Sequence, residues 1–408
     1  MLNLLFYFLE NSRFRHCYEV NTFNGLPQED IDCSRILAYY FLGSHDDIMA
    51  KFSKDYGCEY YRFVDDMTIA VNDKVIGKKA LKCLTDSLRR LNLVSSIEKT
   101  SIIGCDEAEK ELFFKENSFI SELEKEVINK IKNKENLDNT LTKIKNYYSI
   151  LTSEKKDKYK NWHKILKRFY TVCTYSKCDL LINEVKNHII DYPLIISGDK
   201  IGKYLLQIKD DKDKLLSVIR DLIDYIYTDE NLYPGVESNI FETLLLFEKG
   251  DLNDELVNKI KELALNIFYK NEIKPQSDYS RSLSCLLLYR YGEVNNITDI
   301  ANHYIESEES DYLLKKYLIF VSLTTSNKSL KEKIINKAKK EQNISISRLI
   351  NFVENINNFN KSELKVIERY INKNELYILF KKEEDLKLKI KYNPVRAEII
   401  KVLVEIYK

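Results

Sequence analysis

Along residues 59–71, "EYYRFVDDMTIAV", apolar and polar positions alternate with period two on either side of an acidic pair. Alternate side chains of a strand face one way. The stretch therefore predicts a β-hairpin with one packed face and with Asp65 and Asp66 at its tip. The next stretch, "DKVIGKKALKCLTDSLRRLNL", changes period. Leu81, Leu84, Leu88 and Leu91 recur at three- and four-residue steps, which predicts an amphipathic helix. Upstream, "CSRILAYYFLGSHDDIMAKF" reads as a helix. Downstream, the β-branched content of "LVSSIEKTSIIG" predicts strands with a turn. Together these predict a small antiparallel sheet with helices on one face.

From about residue 115 the helical period takes over. "NDELVNKIKELALNIFYK" carries Leu256, Ile260, Leu263 and Ile267 on one face, and "SLKEKIINKAKK" places Ser329 and Glu332 at capping-box spacing. Polar breaks such as "YTDENLYPG" and "ENINNFNKSE" separate the helical segments. The expected architecture is α+β over residues 1–112, followed by an all-α domain over residues 113–408. Helix pairs stacked as a HEAT-like repeat, and a compact helical bundle, both satisfy that pattern.

Composition narrows the setting. The chain has 408 residues, 10 of them Gly and 5 Pro, so turn-formers are scarce. The net charge of +1 neither requires nor excludes a nucleic-acid partner. Eight cysteines without CxxC spacing fit a reduced, cytoplasmic setting, and Cys173 and Cys178 lack the second pair a zinc site needs. No apolar run approaches the ~18 residues of a membrane span, and the N-terminus does not read as a signal peptide.

The candidate chemistry starts at the hairpin. A turn "DD" is most often solvated, because Asp bonds nearby backbone. Two carboxylates on a rigid hairpin also suit Mg²⁺ (or Mn²⁺) bridging protein and triphosphate. Upstream, "NGLPQEDIDCSRILAYYFL" gives a constrained loop at Gly25 and Pro27, with Gln28 offering both donors and an acceptor and Ser34 on the helix that follows. Downstream, Lys99 lies within "LNLVSSIEKTSII". The stretch "SEKKDKYKNWHKILKRFY" interleaves lysines with Tyr159, Trp162 and Phe169. An amphipathic helix with a buried Trp is favoured there over a nucleic-acid surface.

In order and spacing these motifs resemble the palm of reverse transcriptases. "GLPQ" with Ser34 is similar to the loop and helix that contact the incoming nucleotide. "FVDD" resembles the aromatic-x-Asp-Asp catalytic hairpin, and "LNLVSSIEKTSI" the motif whose lysine lies near the nucleotide phosphates. The resemblance covers residues 20–104. It implies an RNA-directed DNA polymerase type of nucleotidyltransferase that uses dNTPs and two divalent metals. Asp65 and Asp66 would be the catalytic metal ligands, and Gly25, Pro27, Gln28, Ser34 and Lys99 the substrate-binding residues. A palm followed by helical repeats is similar to the bacterial abortive-infection reverse transcriptases of phage defence. That likeness implies DNA or RNA as partner and leaves homo-oligomerisation open.

Two features depart from the pattern. Glu29 stands where the family has glycine after "LPQ". The family's further aspartate, on a strand before that loop, has no match, since Glu10 and Glu19 are the acidic residues upstream of Gly25. The expectation is an N-terminally incomplete palm whose missing fragment would supply that ligand. The competing expectation is a non-catalytic helical-repeat scaffold, or nucleic-acid-binding protein, that carries a palm remnant.

Overall fold

The computed structural model describes residues 32–96, 99–155, 162–193, 197–208, 212–271, 275–309 and 312–341, with Ile346 and Ile350. Gly25, Pro27 and Gln28, the "ENINNFNKSE" break and the upstream acidic residues lie outside them. The described chain falls into two compact units that meet in sequence at Phe114 and Lys115.

In the first unit, α1 (Asp32–Phe41) and α2 (Gly43–Tyr56) replace the single expected helix. Hydrogen bonds run through the junction: the Leu42 amide reaches Ala38 at 3.0 Å, and its carbonyl accepts from Asp46 at 2.9 Å. Gly57, at φ 61°, ends α2 in the left-handed conformation that costs glycine least. β1 (Glu59–Phe63) and β2 (Asp66–Ala70) then pair antiparallel, with Phe63 opposite Asp66. Asp73 caps α3 (Lys74–Arg90) by accepting from the amides of Val75 and Ile76 at 2.7 and 2.8 Å.

The alternation works as the period predicts. Tyr60, Met67 and Ile69 pack on a core of Leu42, Met49, Leu84 and Leu88, while Tyr61, Phe63, Asp66 and Thr68 face outward. At roughly 1.5–3 kcal/mol per fully buried aliphatic side chain, that small core is what fixes the hairpin's register. The expected strands over 93–104 are not there: residues 93–96 and 100–104 are irregular, and the pairing β1–β2 is the only one among the described residues. Ile102 packs its side chain on α3 at Gly77 instead. Its β-branched shape is used for packing rather than for a ladder.

The second unit is helical. After the short α4 (Cys105–Glu111) of the first unit come α5 (Phe114–Asn133), α6 (Asp138–Lys155), α7 (Trp162–Ser176), α8 (Val185–Asp191) and α9 (Gly198–Gln207). They are followed by α10 (Lys212–Ile226), α11 (Pro234–Leu244), α12 (Asp254–Tyr269), α13 (Asp278–Tyr291), α14 (Val294–Glu306), α15 (Tyr312–Ser322) and α16 (Lys328–Ala338). Pro234 sits in the first turn of α11, where its missing N–H costs nothing. Leu256, Ile260, Leu263 and Ile267 are all fully buried on α12. The cap of α16 is Asn327, which accepts from Leu330 at 3.1 Å; the expected Ser329–Glu332 box lies inside the helix. Asn is as good a cap as Ser and comes two residues earlier.

Neighbours follow an alternating rule. Each of α7, α9, α11, α13 and α15 packs on the next in that series. A second series, α8–α10–α12, stacks beside it, and α14 stacks on α16. Around α10 three ion pairs share one offset. Asp179–Lys214 and Arg220–Glu255 each span 35 residues, and Asp224–Lys259 keeps the same offset.

Candidate functional site

The acidic hairpin closes through a two-residue turn, Val64–Asp65, between the paired Phe63 and Asp66. Val64 takes φ 58°, a left-handed value that a β-branched residue adopts only under strain. Glycine is the usual occupant of that turn position. Asp65 sits in the turn and Asp66 opens β2 on the outward face, beside exposed Phe63. Both carboxylates are exposed, and among the described residues neither has a hydrogen-bond or ion-pair partner.

Arg62 ties the turn down from the other face. Alternation points it inward, and its side chain is only 5% exposed, so its charge has to be paired there. Its Nη1 donates to the Val64 carbonyl at 2.7 Å. Its Nε donates to Asp46 Oδ1 at 2.7 Å, and its Nη2 pairs with Asp46 Oδ2. The Tyr60 hydroxyl also donates to Asp46, at 2.9 Å, and the Tyr39 ring lies 4.7 Å from the guanidinium. The Arg62 bond, with help from Tyr60, holds the Asp46 carboxyl below its usual range. Burial, then the bond to Asp46, pushes the Tyr60 hydroxyl well up. The sequence reasoning missed this bidentate pair. Its signal was the inward register of Arg62 beside an acidic first turn, "SHDD".

His45 stands next to it, fully buried, with Nδ1 2.7 Å from Ser87 Oγ. The Ser87 hydroxyl already donates to Leu84 at 2.8 Å, so His45 is the donor toward Ser87. It is not a base activating a nucleophile.

Of the other expected site residues, Ser34 lies on α1, with its side chain outside the described set. Lys99 is exposed in a short helical turn, not on a strand, and no hydrogen bond or ion pair joins it to Asp65 or Asp66. The lysine-aromatic stretch is divided: residues 156–161 lie outside the described set, and Trp162 and Phe169 are core residues of α7. Arg168 is spent on Asn117 and Ser121 at 2.7–3.0 Å. Those rings have no free face for a base.

Asp65 in the turn and Asp66 at the start of β2 place two exposed carboxylates side by side at the hairpin tip. Among the described residues, no group of three or more His, Cys, Asp or Glu converges on one point. None of their helices is long and apolar enough to cross a membrane. The class defined is a small hairpin-and-helix unit joined to a double row of helices. No protein-family model, curated protein or solved structure matches the chain.

Proposed function

We propose that the chain is a nucleotidyltransferase of reverse-transcriptase type, with the hairpin carboxylates Asp65 and Asp66 as ligands for Mg²⁺ or Mn²⁺ and with dNTPs as substrate. The observation that carries this reading is the strained Val64 turn. A solvated turn has no use for a valine at φ 58°, because glycine or asparagine would occupy it without cost. Strain of this kind, about 1–3 kcal/mol, collects where the backbone must aim functional groups. Here it aims two adjacent carboxylates into solvent while Arg62 fixes the turn from behind.

Bound to such carboxylates, the metal would neutralise triphosphate charge and align an in-line displacement. The protein's own part is to hold both oxygen donors on one turn. Phe63, 76% exposed on the same outward face, offers a ring to a base or sugar. In the second unit, the alternating stack of helices supports a HEAT-like helical-repeat array. With it the reading extends to antiviral abortive-infection defence, with DNA or RNA as product or template. A partner-binding scaffold is the second reading, favoured by that same stack.

The test is Mg²⁺-dependent incorporation of labelled dNTPs by the full chain, with primer–template and without nucleic acid, beside Asp65→Asn. Incorporation lost in the variant supports the first reading. A folded, metal-replete chain that incorporates nothing under either condition supports the scaffold.

A further inference from the structure

At the C-terminal end of α7, Lys177 takes φ 55° and the Cys178 amide returns to the Cys173 carbonyl at 3.0 Å. A six-to-one closure of this kind brings together the side chains at its first and last positions, which are usually apolar. Here both are cysteines. Both are free thiols, 0% and 2% exposed, at the two ends of that closure. Neither takes part in the hairpin chemistry.

The surroundings are unequal. Asp179, the next residue, is paired with Lys145 at 3.4 Å and Lys214 at 3.2 Å. The neighbouring Cys173 lowers the Cys178 thiol, and burial opposes it; the Leu180 backbone and the Lys145 charge lower it further. The neighbouring Cys178 and burial push the Cys173 thiol up. One sulfur is thus readied to react first, and the other is held against it.

We propose that Cys173 and Cys178 form a reversible dithiol–disulfide site that responds to hydrogen peroxide. The Cys178 thiolate attacks one peroxide oxygen. An S–O bond forms, the O–O bond breaks, and hydroxide leaves to be protonated to water. The Cys173 thiol then attacks the Cys178 sulfur: the S–S bond forms and the sulfenic oxygen departs as a second water. Two thiols are oxidised by two electrons and one hydrogen peroxide is reduced to two waters. A small oxidant suits sulfurs reached by fraying of a helix end rather than through an open cleft. The bridge locks the turn that ends α7 and is undone by a dithiol reductant. This site stands independently of the nucleotidyltransferase reading.

Cys285 provides the internal control. It is equally buried but has no cysteine neighbour, and burial pushes its thiol well up. The experiment treats the reduced full chain with hydrogen peroxide, unfolds it in excess maleimide and maps the peptides by mass spectrometry. The expected result is a Cys173–Cys178 cross-link, lacking two hydrogens and reversed by dithiothreitol, while Cys285 carries maleimide. Two results overturn the proposal: both cysteines alkylated at doses that oxidise exposed Cys105, or Cys178 carried to sulfinic acid with Cys173 unmodified.

Discussion

Arg62 donates through Nη1 to the carbonyl of Val64 at 2.7 Å, so the residue that strains the hairpin is held by the side chain two positions before it. The same guanidinium grips Asp46 on α2. A single inward charge therefore couples the helix, the strand and the turn that presents Asp65 and Asp66.

Removing that charge should loosen the unit. Arg62→Met leaves Asp46 without its bidentate partner and the Val64 carbonyl without a donor. Because Asp46 keeps 32% exposure, the expected loss is about 2 kcal/mol, less than for a fully buried pair. Urea unfolding of the first unit checks it. Arg62→Lys should recover under half, since an ammonium cannot reproduce the fork.

The strain at Val64 predicts the opposite sign for a mutation at the tip. Val64→Gly relieves a left-handed β-branched residue and should raise stability by about 1 kcal/mol, net of the added chain entropy of the unfolded state. A thermal-unfolding midpoint equal to or below wild type would refute the strained turn.

In the second unit, α9 and α11 approach through Gly198. A methyl group there would collide with the Asn239 carbonyl oxygen. The Gly198 amide donates to Asn239 Oδ1 at 3.0 Å, and its carbonyl accepts from Thr243 at 3.0 Å. Gly198→Ala should cost about 2–3 kcal/mol, since backbone must move. Gly250→Ala, in open space, is the matched control and should change stability by less than about 0.5 kcal/mol. Denaturant midpoints of the two variants decide it.

Glu309 gives the second unit an acid-sensitive joint. It accepts from Arg281 at 2.8 and 3.1 Å and lies 3.0 Å from His303 Nε2. The Arg281 bonds, reinforced by His303 and opposed by burial, lower its carboxyl from 4.5 to about 2. A depressed folded value means that this stabilisation is complete above pH 4.5 and is lost as pH falls toward 2. Between pH 6 and pH 3 the wild type should lose about 1–2 kcal/mol that Glu309→Gln does not, after allowance for solvent screening. Parallel pH profiles for the two proteins would contradict the assignment.

Much of this was legible in the chain. The period-two run around Asp65, the leucine steps of α3 and α12, and the break before Pro234 each depend on contacts within a few residues, which sequence carries openly. What was hidden depends on distant neighbours. The 93–104 segment has strand-like composition but no partner strand among the described residues, so Ile102 packs on Gly77 instead. The Arg62–Asp46 pair joins residues 16 apart on two elements. The stack is held by contacts between helices two apart in the chain, while the apolar repeat is degenerate. Of the expected site, Asp65 and Asp66 are together by covalent adjacency, whereas Lys99 needed a strand that does not form.

The most direct test of the hairpin's role is divalent-metal binding at its tip. Mn²⁺ titrated into the isotopically labelled full chain should broaden the backbone signals of residues 63–67 before others, with excess Mg²⁺ reversing the effect and Asp65→Asn abolishing it. Broadening that is absent, or that persists unchanged in Asp65→Asn, would contradict the account and leave the two aspartates a solvated turn.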